Sequence, residues 1–197
     1  MIVYLHGFNS TPRSTKARQL HEAMRAAGAG ELYRCPALHH RPAQAVQSVE
    51  RELAAAADAP GAGSVTLVGS SLGGFYACHL AEKHGLRAVL LNPAVYPVRD
   101  LGRYLGPQQN LYSGERYELT GDHLRELAAL ECERIEPSRY LLIVETGDEV
   151  LDCREAVERF AGARQLVIPG GDHALRSFVE HLPAILEFAG LVPRRLD

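Results

Sequence analysis

No window of this 197-residue sequence reaches the roughly 20 consecutive apolar residues of a membrane-spanning helix. The N-terminus runs straight into Met1-Ile2-Val3-Tyr4-Leu5 with no basic stretch before it, so no secretory leader is expected and the protein is placed in the cytoplasm. Cysteine is scarce: Cys35, Cys78, Cys132 and Cys153 lie far apart with no C-x-x-C pair. That spacing argues against a zinc ribbon or a redox dithiol, and the thiols are expected to be reduced and mostly buried. Neither sign of charge dominates. With 24 acidic and 21 basic residues interspersed and a net charge of −3, there is no broad basic field for nucleic acid or an anionic membrane. A small-molecule partner is expected instead. There is no internal repeat, and the one biased tract is the Ala-rich stretch Leu53 to Ala57.

What is present is an alternation. Short apolar runs at Ile2 to Leu5, Glu31 to Cys35, Val65 to Val68, Ala88 to Leu91, Tyr140 to Val144 and Gln165 to Ile168 read as strands. Amphipathic stretches between them predict helices over Ser14 to Ala27, Pro42 to Ala57, Leu72 to His84, Asp152 to Ala161 and Ala174 to Ala189. Pro42 suits a helix start, and Gly28 and Gly85 suit helix ends. Pro60 to Gly63 reads as a loop. Strand and helix in turn predict an α/β fold, a parallel sheet of about six strands wrapped on both faces. At this length the chain is expected to be one domain, 1–197, burying roughly 70% of its unfolded surface. One segment breaks the rhythm. From Asn92 to Ser138 there is no convincing strand, only prolines, glycines and one helix from about Asp122 to Cys132, and the stretch at about 93–139 reads as a cap or lid.

The apolar run Ser64 to Val68 leads into Gly69-Ser70-Ser71-Leu72-Gly73, a G-x-S-x-G pattern at a strand-to-helix bend. Such a turn crowds its neighbours, and Gly69 and Gly73 supply the room. Ser71 is the candidate nucleophile. It needs a base and a group to orient that base, both just beyond strand ends, where doubly wound sheets form their sites. That condition removes His21, His79, His84 and His181, which fall within helical patterns. His39 and His40 follow a strand as possible pocket lining, without the further ligands of a metal site. Gly-Asp-His occurs twice. In Gly121-Asp122-His123 the aspartate reads as a helix N-cap. In Gly171-Asp172-His173 the histidine follows a strand and a flexible turn, so His173 is the expected base. For the acid, the strand ending in Glu145 is followed by Asp148, Glu149 and Asp152; Asp148 is favoured, with Asp152 the alternative and helix capping its plainer role. The order Ser, Asp, His is that of α/β-hydrolases. The amides of Leu72 and Phe8 are the expected oxyanion donors. In the loop Leu5-His6-Gly7-Phe8-Asn9-Ser10, the residues His6, Gly7, Asn9 and Ser10 are expected beside substrate, with His6 also a buttress. Arg13, Lys16 and Arg18 oppose the dipole of the helix they start; the plainer reading is a solvated helix face, and the alternative is that they meet an anionic part of the substrate, such as a carboxylate or a CoA phosphate.

These segments together resemble the small YqiA-type esterases of the α/β-hydrolase superfamily. The resemblance rests on Tyr4-Leu5-His6-Gly7-Phe8-Asn9-Ser10, Gly69-Ser70-Ser71-Leu72-Gly73-Gly74, Leu91-Asn92-Pro93-Ala94, Thr146-Gly147-Asp148-Glu149-Val150-Leu151-Asp152 and Gly170-Gly171-Asp172-His173, and runs nearly end to end. It implies a carboxylic-ester hydrolase using Ser71, Asp148 and His173, with acyl-CoA thioesters as further substrates and no cofactor or metal. Where relatives carry an aromatic after the Leu-Asp pair, this chain has Cys153. The rival expectations are a binding module on the same scaffold and a lyase or peptidase using the same triad.

Overall fold

The computed structural model describes residues 1–57, 64–110 and 112–191; the expected loop Pro60 to Gly63 lies outside them. The first half runs β1 (Ile2–Leu5), α1 (Thr15–Ala26), β2 (Tyr33–Arg34), α2 (Pro42–Ala57), β3 (Thr66–Ser70), α3 (Leu72–His84) and β4 (Arg87–Leu91). Next come α4 (Pro97–Gly102), β5 (Gly106–Gln109), β6 (Arg116–Leu119) and α5 (Gly121–Ala128). The chain closes with β7 (Tyr140–Glu145), α6 (Cys153–Arg159), β8 (Arg164–Ile168) and α7 (Phe178–Phe188).

The four inner strands are buried at almost every position, which is why they read as unbroken apolar runs: helices cover both faces of the sheet. Side chains still alternate. Ile2 and Tyr4 of β1 join the core under α1 and α7, while Val3 and Leu5 join the one under α2, α3 and α6. Six parallel strands stand in the order β2-β1-β3-β4-β7-β8, the α/β-hydrolase fold expected from the sequence. From β1 the chain steps one way to β2, then β3 returns to β1's other side. The order therefore reverses between β1 and β3, and the loops leaving their carboxyl ends border a crevice.

Four expectations need correction. The stretch after Asn92 does contain strands, the antiparallel hairpin of β5 and β6. Its strands are polar and half exposed, so no apolar run announces them. The expected strand Glu31 to Cys35 shrinks to two edge residues, with a 3₁₀ turn at Gly30–Leu32 in front. The helix in the insertion ends at Ala128, short of Cys132, because the following chain turns away and the Leu130 carbonyl is taken by His79. The last helix starts at Phe178 and not at Ala174, because the amides before it are turned toward a buried carboxylate.

Candidate active site

β3 ends at Ser70, and Ser71 stands at the bend with φ 55° and ψ −122°, an uncommon conformation for a residue with a side chain. The surroundings fix it. Its N–H donates to the Leu91 carbonyl at 3.0 Å, and its own carbonyl accepts from Gly74 and Ala94 at 2.9 and 3.1 Å. Room is the other requirement: a Cβ on Gly69 would run into the Gly73 backbone, and one on Gly73 into the carbonyl of Leu5. β1, β3 and the start of α3 are thus packed backbone to backbone, leaving Ser71 Oγ at the crevice.

The ring of His173 meets that hydroxyl, with Nε2 3.1 Å from Ser71 Oγ. On its other side Nδ1 lies 2.8 and 3.0 Å from the Asp148 carboxylate oxygens. Asp148 is nearly sealed, its side chain 2% exposed, and it also accepts the Val150 and Leu151 amides at 2.9 Å each. The alternative acid is elsewhere. Asp152 caps α6 by accepting the Arg154 amide at 3.0 Å, and its pairing with the Arg154 side chain holds its carboxyl down at about 2.

Two residues that sequence reasoning passed over hold the histidine loop. Glu145, the last residue of β7 and 1% exposed, accepts the amides of Asp172 and Arg176 on one oxygen and of Ser177 on the other. Burial acts to raise its pKa, but the hydrogen bonds of Ser177, Asp172 and Arg176 outweigh that and leave it lowered. Gly171, at φ +73°, has to be glycine, since a Cβ there would strike that carboxylate. Asn92, at φ 40° after β4, donates to the carbonyl of Asp172 at 3.0 Å and accepts the Glu145 amide at 3.0 Å. The sequence signals were a carboxylate at the end of an apolar strand and an Asn-Pro after another. Glu149 adds a further tie by accepting the His173 amide at 3.0 Å.

The loop after β1 lies against the serine: a Cβ on Gly7 would sit 3.2 Å from that of Ser71. Among the described residues, neither the Phe8 nor the Leu72 amide is paired with an acceptor. His6 is 5% exposed and braces the loop, with Nδ1 toward the Gly7 carbonyl and Nε2 accepting the Leu38 amide, both at 3.1 Å. Burial lowers its pKa. Asn9 joins the loop to the insertion, accepting from Tyr117 Oη at 2.7 Å and donating to Gln108 at 3.2 Å. The Ser10 carbonyl accepts from Asn110 at 2.9 Å. A cleft of about 600 Å³ opens beside Ser71, bordered by Gly7, Phe8, Asn9, Ser10, His173 and Lys16. Lys16 donates to the Ala174 carbonyl at 2.7 Å, so it ties α1 to the histidine loop.

The first Gly-Asp-His corrects another expectation. Thr120, not Asp122, caps α5, in a capping box with His123, whose Nδ1 accepts the Thr120 amide at 3.1 Å. His123 Nε2 meets His40 Nδ1 at 3.0 Å, while Asp122 pairs with Arg125. Folding also brings Glu115 to the His39-His40 pair, with one donor atom of each within 4.8 Å of the others. Both Nδ1 atoms are engaged there, His39's by the Arg41 amide, which puts the ring protons of the neutral histidines on Nε2. An ion would first have to displace them.

The family model described as "Uncharacterised protein family (UPF0227)" matches residues 1–190. The chain belongs to that family. It is the family of the YqiA-like esterases, as the sequence motifs suggested. Solved structures agree on the fold. Est1E from Butyrivibrio proteoclasticus superposes with a TM-score of 0.72 at 15% identity, over 95% of this chain and 85% of that one. Alpha/beta hydrolase domain-containing protein 10 from mouse gives 0.67 at 16%, over 94% and 87%. A monoacylglycerol lipase of Paleococcus ferrophilus gives 0.65 at 18%, over 96% and 94%. Among the described residues, no helix is long and apolar enough to cross a membrane.

Proposed function

We propose that the protein is a carboxylic-ester hydrolase working through an acyl-enzyme on Ser71. One observation carries this: an unbroken line from Ser71 Oγ through His173 to Asp148, with contacts of 3.1 and 2.8 Å. A serine hydroxyl becomes a useful nucleophile when a neighbouring base removes its proton as it attacks. In this mechanism His173 Nε2 takes that proton, and Asp148 keeps Nδ1 protonated and stabilises the imidazolium. The Leu72 and Phe8 amides receive the developing oxyanion, a contribution of about 10²–10³ in rate per donor. His173 then protonates the leaving alkoxide, and the same ring activates the water that frees the acid. Thioesters fit the same steps, because the leaving group changes and the carbonyl chemistry does not.

Two further arguments support it. Est1E and the monoacylglycerol lipase share the fold, and the second is by name a lipase. A binding module, by contrast, would have no use for a serine held at φ 55° against a histidine paired with a buried carboxylate. The segment at 93–139 acts in this reading as a cap that borders the cleft through its hairpin, within a single domain. The cytoplasm is its expected compartment. The test is Ser71→Ala, assayed on p-nitrophenyl esters and labelled with a serine-directed phosphonate. Turnover should fall by roughly 10⁴–10⁶ and labelling should vanish. Retention of both would end the proposal.

A further inference from the structure

Away from the serine, a second cavity of about 210 Å³ lies between α3 and the chain that follows α5. It is walled by Phe75 and Phe160 and carries Cys78, His79, Cys132 and Arg159; none of its lining residues borders the cleft at Ser71. The mechanism above uses none of these side chains. His79 is oriented by the fold: its Nδ1 gives a hydrogen to the Leu130 carbonyl at 3.0 Å, which leaves Nε2 unprotonated in the neutral ring, and the ring lines the same cavity as Cys132. This is the nucleophile, base and orienting acceptor arrangement that activates thiols elsewhere. The Arg159 guanidinium holds the Cys132 carbonyl and adds positive charge at the rim. Glu82 is the opposing carboxylate, occupied by Tyr140 Oη at 2.6 Å and Arg139 at 2.9 Å.

The two thiols line the same cavity but differ in setting. Cys132 is half-buried, and the neighbouring Cys78 thiol draws its pKa down, burial opposing and His79 assisting. Cys78 is 8% exposed with Sγ 3.8 Å from Tyr140 Oη, and the Cys132 sulfur together with burial pushes its pKa up. Cys35 and Cys153 have no such surroundings. Burial is the leading influence on both and raises both, Cys35 to about 11.

We propose that Cys132 is a peroxide-reactive site, with His79 as its base and Cys78 as its resolving thiol. The Cys132 thiolate attacks one oxygen of hydrogen peroxide and breaks the O–O bond. Cys132 becomes a sulfenic acid, and the departing hydroxide takes the proton held by His79 and leaves as water. The Cys78 sulfur then attacks the sulfenic sulfur, forming an S–S bond and expelling a second water. Two thiols lose two electrons and one peroxide gains them. The product ties α3 to the insertion.

The test uses the intact protein. With limiting iodoacetamide at pH 6.5 and peptide mass spectrometry, Cys132 should be alkylated at least about tenfold faster than Cys35 or Cys153. His79→Gln, with its circular dichroism unchanged, should reduce that advantage by about tenfold. Hydrogen peroxide should yield a linked Cys78–Cys132 peptide two hydrogens lighter, with neither thiol then alkylated after unfolding. Ser71→Ala should behave as the native chain does, which separates this site from ester hydrolysis. Equal alkylation of Cys132 and Cys153 would overturn the activated thiol. Oxidation of Cys132 to sulfinic acid with Cys78 left free would overturn the pairing.

Discussion

Gly-Asp-His ends at residue 123 in a ring that is 2% exposed and at residue 173 in a ring that borders a cleft, and the two rings spend their nitrogens differently. In the first, Nδ1 accepts a backbone amide at a helix start and Nε2 meets another histidine. In the second, Nδ1 faces a sealed carboxylate and Nε2 faces a serine. The tripeptide determines neither outcome. Position decides: residue 123 is the third residue of α5, where a side-chain acceptor naturally reaches back to the N-cap amide. Residue 173 follows two glycines with φ near +74°, on a loop held between Glu145 and Asn92 at the carboxyl end of the sheet. An imidazole becomes a base only where topology brings both a nucleophile and an orienting acceptor to it.

The sharpest way to break the comparison is to remove each ring. His173→Ala should lower ester turnover by roughly 10⁴–10⁶, whereas His123→Ala should leave kcat within about threefold and cost stability of about 2 kcal/mol. Comparable turnover losses would mean that the two copies do not divide as described. Steady-state kinetics beside a urea titration decides it. The acids come next. Asp148→Asn should cost about 10³–10⁴ in kcat by allowing the wrong tautomer, and Asp152→Asn and Asp122→Asn should cost less than about tenfold. If Asp152→Asn were the more damaging change, the orienting role would move to it.

Glu145→Gln addresses the loop and not the ring. An amide can still accept hydrogen bonds, but it loses the charge and brings two buried N–H donors, so about 3 kcal/mol of stability and a smaller fall in kcat are expected. The native carboxyl titrates below its ordinary value of 4.5. Because its folded pKa is the lower one, its stabilisation is complete above about pH 4.5 and is lost as the pH falls through the folded value. Glu145→Gln should therefore flatten the acid limb of a melting-temperature profile below pH 4.5. An unchanged limb would show that the three amides do not depend on the charge.

The sequence made the inner sheet and the meeting of Ser71, His173 and Asp148 legible because both obey local rules. Buried parallel strands are apolar runs, and a residue just past such a run is at the crevice whatever its distant partners are. Ser71, Asp148 and His173 each follow one. The hairpin of β5 and β6 was hidden because it enters the main core only at its end, through Leu119, so polar residues suffice along the rest of it. Glu145 was hidden for the opposite reason. Its position inside the strand looked inert, and only the folded loop reveals three amides converging on it. The Cys78 and Cys132 thiols have no motif spacing, and it is the turn after α5 that brings them to one cavity.

The smallest effect concerns the copy without a serine. Burial is the leading cause that lowers the pKa of His123, and also of His40 and His6, from the ordinary 6.5. A base with a lowered folded pKa takes up more protons when unfolded, so folding is favoured fully above about pH 6.5 and less as the pH drops toward the folded value. The native melting temperature should thus fall between pH 7 and pH 5, above the window assigned to Glu145. His123→Gln removes one titrating ring from the seam and should make that decline shallower, even though its melting temperature at pH 7 is lower. If the slope were unchanged, His123 would not contribute to the pH dependence, and its first role would be the capping of α5 alone. Thr120→Ala provides the matching control: losing the cap should cost about 1 kcal/mol at every pH and leave the slope intact.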